Sequence, residues 1–201
     1  MTTAKDLFII AMAPRPDRSV GQGDLSLALA GAELIDLLGA GALTLDGERI
    51  VPGPGPATGD RLLDGAARAL DRQAPYERIE DWLWRRGRDL AALYQTALEE
   101  EGQLTRERHG RSPFGAERLQ LADSPARGRA LERWADGDPV LVALAAVVGV
   151  GGGPDGDAPV PEDEAVTAVL ALVNDAVMEL EAVRQRRSIE KAAFANLWRG
   201  P

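Results

Sequence analysis

Apolar residues recur along this chain in two rhythms, one nearly continuous and one spaced by three and four. Leu25, Leu27, Leu29, Ala32, Leu34, Ile35, Leu37 and Leu38 fill a stretch that closes at Gly39 and Gly41, which predicts a core helix. Val166, Val169, Leu170, Val173, Val177, Leu180 and Val183 repeat at helical spacing, while Glu179, Glu181, Arg184, Arg186 and Arg187 form a charged face, so a long amphipathic helix is predicted there. Between these lies a helix carrying Leu62, Leu63, Ala66, Ala67 and Leu70 behind a cap at Thr58 or Asp60. Another starts near Tyr76 and carries Ile79, Trp82, Leu83 and Arg86, followed by Leu90, Leu93, Tyr94 and Ala97 up to a stop at Gly102. Ser124-Pro125 opens a further helix. Residues 140–148 predict a fully buried one, well short of the roughly 20 apolar residues that span a bilayer.

Two segments leave the helical period. Leu43-Thr44-Leu45 and Arg49-Ile50-Val51 flank Asp46-Gly47, the dipeptide that suits a tight hairpin turn. Residues 106–118 are basic and turn-rich, and the alternating Leu119 and Leu121 predict the return strand of a second hairpin near 105–121. The fold class is therefore mainly α, one domain over 1–201, with short hairpins near 43–51 and 105–121. Residues 7–13 end in Ala-Met-Ala like a signal-peptide cleavage site, but Asp6 spoils the basic flank and the segment is short, so a cytoplasmic chain is expected.

Composition narrows the chemistry. A formal charge of −9 gives no electrostatic footprint for nucleic acid, and contact with an anionic membrane then requires a local basic patch. Cysteine is absent and His109 is the single histidine, which removes thiolate chemistry, Cys-ligated metal and multi-histidine sites. Gly151, Gly153 and Gly156 match the letters of GxGxxG, yet the preceding segment is helical in pattern and a flexible loop is the better reading. Asp155, Asp157, Glu162, Asp163 and Glu164 read as solvated charge, as do Glu99, Glu100 and Glu101. No nucleophile, base and orienter are tied together by spacing, so neither an enzyme nor a cofactor is expected.

The least ordinary cluster is Trp82, Trp84, Arg85, Arg86 and Arg88. Guanidinium forks hold phosphate oxygens in pairs and an indole suits a wet interface, so Trp84, Arg85, Arg86 and Arg88 are candidates for an anionic headgroup site. Trp84 and Arg88 would share a face if the helix persists through Gly87. The competing reading makes Trp82 core and pairs the arginines with Glu77, Glu80 and Asp81.

Gly31-Ala32-Glu33-Leu34-Ile35-Asp36-Leu37, then Gly41-Ala42-Leu43, then Thr58-Gly59-Asp60-Arg61-Leu62-Leu63-Asp64, resemble in order the motifs of the Golgi phosphoprotein 3 family. Leu98-Glu99-Glu100-Glu101-Gly102-Gln103-Leu104 continues the likeness, which runs over nearly the whole chain, and the acidic charge and arginine-for-lysine usage resemble a bacterial member. The resemblance implies a helical core bundle ringed by amphipathic helices, with a projecting hairpin used in self-association or membrane contact. Eukaryotic members bind phosphatidylinositol 4-phosphate and act as adaptors without catalysis. It therefore implies a peripheral membrane module with anionic phospholipid as partner. Of the family's headgroup residues, Arg88 matches, while the tryptophan position falls at Gly21 and two arginine positions at Ala30 and Ala91. Phe114, with Arg111 and Arg118 beside it, is the expected hairpin contact. The alternative is a soluble protein-interaction or self-associating module that has lost the lipid site.

Overall fold

The structure is a computed structural model that describes residues 2–13, 20–55, 57–108, 117–151 and 160–198. In chain order the elements are α1 (Thr3–Met12), α2 (Gln22–Gly39), β1 (Leu43–Asp46), β2 (Arg49–Pro52), α3 (Arg61–Ala69), α4 (Ile79–Arg86), α5 (Leu90–Glu100), β3 (Leu104–Arg108), β4 (Glu117–Leu121), α6 (Pro125–Ala135), α7 (Pro139–Val147) and α8 (Glu164–Trp198). The mainly helical class read from the sequence is the observed one, and both hairpins are antiparallel, with Asp46 opposite Arg49 and Leu104 opposite Leu121.

The near-continuous apolar stretch becomes α2 because a helix with hydrophobic residues all round must be enclosed. Leu25, Leu29, Leu34 and Leu37 are all buried, and α1, α3, α4, α5, α7 and α8 pack around them. α8 packs tightly on α2 at Gly31, where a Cβ would stand 2.2 Å from Val173 Cγ2. Val173 is β-branched and stiff at χ1, so it cannot swing aside freely. Gly31→Ala is expected to lower stability by about 1–3 kcal/mol through overpacking, despite alanine's better helix propensity, as read by urea unfolding.

The segment that mimics a signal peptide is the core helix α1, with Leu7, Phe8, Ile9 and Ile10 buried. Asp36 on α2 receives the backbone N–H groups of Thr3 at 3.0 Å and Ala4 at 3.2 Å, so one helix caps the start of another. Asp60, rather than Thr58, caps α3, accepting from Leu62 and Leu63, while Thr58 binds Asp64. Residues 140–148 are not fully buried as expected. Leu141, Leu144 and Ala145 face the core while Ala146 is exposed, because α7 lies at the edge of the bundle against α1, α2, α6 and α8.

α8 is 35 residues long, about 50 Å at helical rise. Val169, Val173, Ala176 and Val177 seat its first half against the bundle, and from Gln185 onward every described side chain is exposed. Among the described residues no helix is long and apolar enough to cross a membrane.

Candidate functional site

The helix does not persist through Gly87. α4 ends at Arg86, Gly87 returns its N–H to the Leu83 carbonyl at 2.9 Å, and Gly87, Arg88 and Asp89 form a turn into α5. A Cβ at Gly87 would stand 2.5 Å from the Leu83 carbonyl oxygen and 3.4 Å from that of Ser26, so glycine lets the end of α4 lie against α2. Asp89 takes a left-handed conformation, φ 57°, to start α5. This sharp reversal, and not a shared helical face, brings Trp84 and Arg88 to the same place.

That place is a cleft of about 460 Å³ lined by Gln22, Gly23, Leu27, Trp84, Arg88 and Leu180, among others. Its size is within the range of small-ligand sites. Arg88 is exposed and Trp84 is 36% exposed, so the guanidinium and the indole both face solvent at the rim. The N-terminus of α2 opens on the cleft, and its cap residue Gly21 supplies no side-chain acceptor to the first-turn N–H groups. The start of α5 at Asp89 is likewise without a side-chain cap. Two helix N-termini therefore place partial positive charge beside Arg88. The carboxylate of Asp24, in the first turn of α2, is neutralised by Arg184 Nη1 at 2.7 and 2.8 Å, and that pairing holds the Arg184 guanidinium above its ordinary pKa. Asp89 remains as the negative charge on the cleft wall.

The other two candidate arginines are paired with carboxylates of the chain itself, Arg85 at the surface and Arg86 partly buried. Arg85 grips Glu77 at 2.6 and 2.7 Å, donates to the Ala69 carbonyl, and lies over the Trp82 ring at 5.1 Å. Arg86 makes a bidentate pair with Glu33 at 2.7 and 2.8 Å, and the Tyr94 hydroxyl donates to the same carboxylate at 3.1 Å. Glu33 is wholly enclosed in α2, and burial pushes its carboxyl above the ordinary range while Arg86 and Tyr94 pull it back. The pairing with Glu77 is the one charge spacing suggested; the pairing with Glu33 reaches across 53 positions and no local pattern signals it. The structure thus joins Trp84 and Arg88 and separates both from Arg85 and Arg86.

At the remaining headgroup positions, Ala30 is wholly buried and its carbonyl accepts from Trp82 Nε1 at 3.2 Å, while Ala91 is 1% exposed and its N–H donates to Ser26 Oγ at 3.0 Å. Gly21 caps α2. Phe114, Arg111 and His109 lie outside the described residues, and of Arg118 only the backbone is described, paired with Glu107. Sequence reasoning missed Leu180 and Gly23 as walls of the cleft and the Asp24–Arg184 pair above it. Their partners stand about 160 residues apart, and the only local trace was the run of helical spacing that places Leu180 on the apolar face of α8.

A larger recess, about 780 Å³, lies between α1, α6 and the start of α7, lined by Asp6, Asp36, Arg129, Arg133 and Asp138 among others. Its groups serve the fold: Arg133 bridges Asp6 and Asp138, each at 2.9 Å, and Asp36 caps α1. Burial pushes both Asp6 and Asp36 above the ordinary carboxylate range. Among the described residues no cluster of acidic or histidine side chains is arranged to hold a metal ion.

Comparison with known proteins gives one family whose model matches the chain, Golgi phosphoprotein 3 (GPP34), over residues 4–193. No curated protein matches it by sequence.

Proposed function

This chain belongs to the Golgi phosphoprotein 3 family, and from that membership we propose that it is a peripheral membrane module that binds rather than catalyses, docking on anionic phospholipid through the cleft at Arg88 and Trp84. The observation that carries the reading is the meeting of an exposed guanidinium, an exposed indole and the uncapped start of α2 at one cleft. Arg88 meets a phosphate oxygen, the α2 N-terminus adds its partial charge, and Trp84 sits at the boundary between headgroup and acyl chain. Ser26, a hydroxyl on this wall, accepts the Ala91 N–H and so ties α5 to α2, a structural role that supports binding over catalysis.

With Ala30 and Ala91 sealed in the core, one side-chain cation carries the contact where the family's headgroup site uses several. Selectivity for phosphatidylinositol 4-phosphate over other anionic lipids is accordingly expected to be small. Arg88→Ala should weaken partitioning onto anionic vesicles about fivefold, the worth of about 1 kcal/mol for one arginine at such a surface, with the thermal unfolding midpoint unchanged. An unchanged partition would remove Arg88 from the contact.

The same buried alanines favour a second reading, a protein-interaction or self-associating module. It predicts no partition onto any vesicle, together with a sedimentation profile that changes with concentration or with partner.

A further inference from the structure

A carboxylate at the start of α2 is an awkward neighbour for an anion site. Asp24 lies in the first turn of the helix, directly after Gln22 and Gly23, which both line the cleft. Its side chain turns back over the cap, since a Cβ at Gly21 would stand 2.3 Å from Asp24 Oδ2. A negative charge in that place repels an incoming phosphate and competes with it for the partial positive charge of the helix start. The side chain is only 18% exposed, so salt and water screen it less than a free surface charge.

Arg184 answers that charge from the last helix. Its Nη1 donates to both oxygens of Asp24, whereas Glu181, the other carboxylate beside it, stands 3.6 Å away and is more exposed. A missing side chain seats the guanidinium. A Cβ at Gly23 would stand 2.8 Å from both Arg184 Nη2 and Leu180 Cδ2, and Leu180 is itself a wall of the cleft. Glycine at 23 thus lets α8 lay its cation across the first turn of α2. With Asp24 and Arg184 cancelling, the charges on the cleft wall are Arg88 and Asp89, and among the described residues no carboxylate is paired with Arg88.

We infer that Arg184 is a positioning residue for the anion site, holding the Asp24 carboxylate in an ion pair so that it does not repel the lipid phosphate that meets Arg88. The inference rests on the proposed docking of anionic phospholipid at the cleft. It gives Asp24 and Arg184 opposite effects on that docking. A pair that only fastened α8 to α2 would behave differently, because loss of either partner would then act in the same direction.

Flotation with phosphatidylcholine vesicles carrying phosphatidylglycerol, at low salt, separates these cases. Arg184→Gln should weaken partitioning about fivefold, Asp24→Asn should strengthen it by a similar factor, and the double variant should return to the wild-type value. Arg184→Lys, which keeps a cation beside Asp24, should stay close to wild type. Arg68→Gln removes the same charge from an exposed position on α3, which supplies no wall of the cleft, and should change partitioning far less. Equal losses in Arg184→Gln and Arg68→Gln would reduce the effect to net charge and overturn the inference while the cleft stands. Weaker partitioning of Asp24→Asn, or a double variant as weak as Arg184→Gln, would make the pair a fastener and overturn it likewise. A wild-type chain that does not float with these vesicles would overturn the cleft reading and this inference together.

Discussion

Arg86→Met is expected to lower the unfolding free energy by about 3–5 kcal/mol, because it leaves the Glu33 carboxylate buried in α2 without its cation. Glu33 is wholly enclosed and accepts both Nε and Nη2 of Arg86, so the substitution takes two charged donors from its carboxylate at once. Tyr94 remains, but one neutral hydroxyl cannot balance a charge. The cost depends on pH in a defined direction. Burial already holds the native Glu33 carboxyl above its ordinary value of 4.5, so the native state binds this proton more tightly than the unfolded chain. Glu33's contribution to stability is therefore fully present below 4.5 and is lost as pH rises through the native value. Without Arg86 the native value rises further. The deficit of the variant should be largest near neutrality and shrink as pH falls through and below 4.5, as Glu33 takes up its proton in both proteins. Urea unfolding of the two proteins across that range measures it. A deficit independent of pH would mean that Arg86 contributes packing alone. Replacing both partners by apolar residues should cost far less than Arg86→Met, since no charge is then stranded.

Trp82→Ala should cost a similar amount, about 3–5 kcal/mol or on the order of 10 °C in the melting temperature of a chain this size. Trp82 is wholly buried, donates its indole N–H to the Ala30 carbonyl at 3.2 Å, and carries Arg85 over its ring at 5.1 Å. It is the largest side chain joining α4 to α2, and α4 in turn sets the Gly87–Asp89 turn. The substitution should consequently loosen the cleft as well as the core. Thermal melts of Trp82→Ala beside Trp82→Phe separate the two effects, the phenylalanine variant keeping most of the packing and losing only the indole hydrogen bond. Equal losses in both would place the importance of Trp82 in that hydrogen bond.

Much of this architecture is written locally. The spacing of Val166, Val169, Val173 and Val177 forecast the seated half of α8, Asp46-Gly47 the first hairpin, and Ser124-Pro125 the start of α6, because each is decided by neighbours within one or two turns. What escaped is non-local. Residues 7–10 are apolar on every side, so no period marks them as helix, and their burial depends on α2, α6 and α7. Glu33 reads as one polar letter in an apolar run until Arg86 is folded against it. The Trp84–Arg88 pairing was legible as a cluster, but the i, i+4 reasoning behind it fails at Gly87, where a turn achieves what the helix does not. The cleft itself was illegible, since its far wall comes from Leu180 and its neighbouring ion pair from Arg184, both supplied by the last helix.

The most direct measurement is flotation of the wild-type chain with vesicles of phosphatidylcholine alone, with phosphatidylglycerol, and with phosphatidylinositol 4-phosphate, at low and at physiological salt. Partition onto both anionic compositions and not the neutral one, weakening steeply as salt screens the surface, is the expected result. Failure to float with any composition, or binding to neutral and anionic vesicles alike without salt dependence, would contradict anionic-lipid docking and leave this member of the family as a protein-binding module.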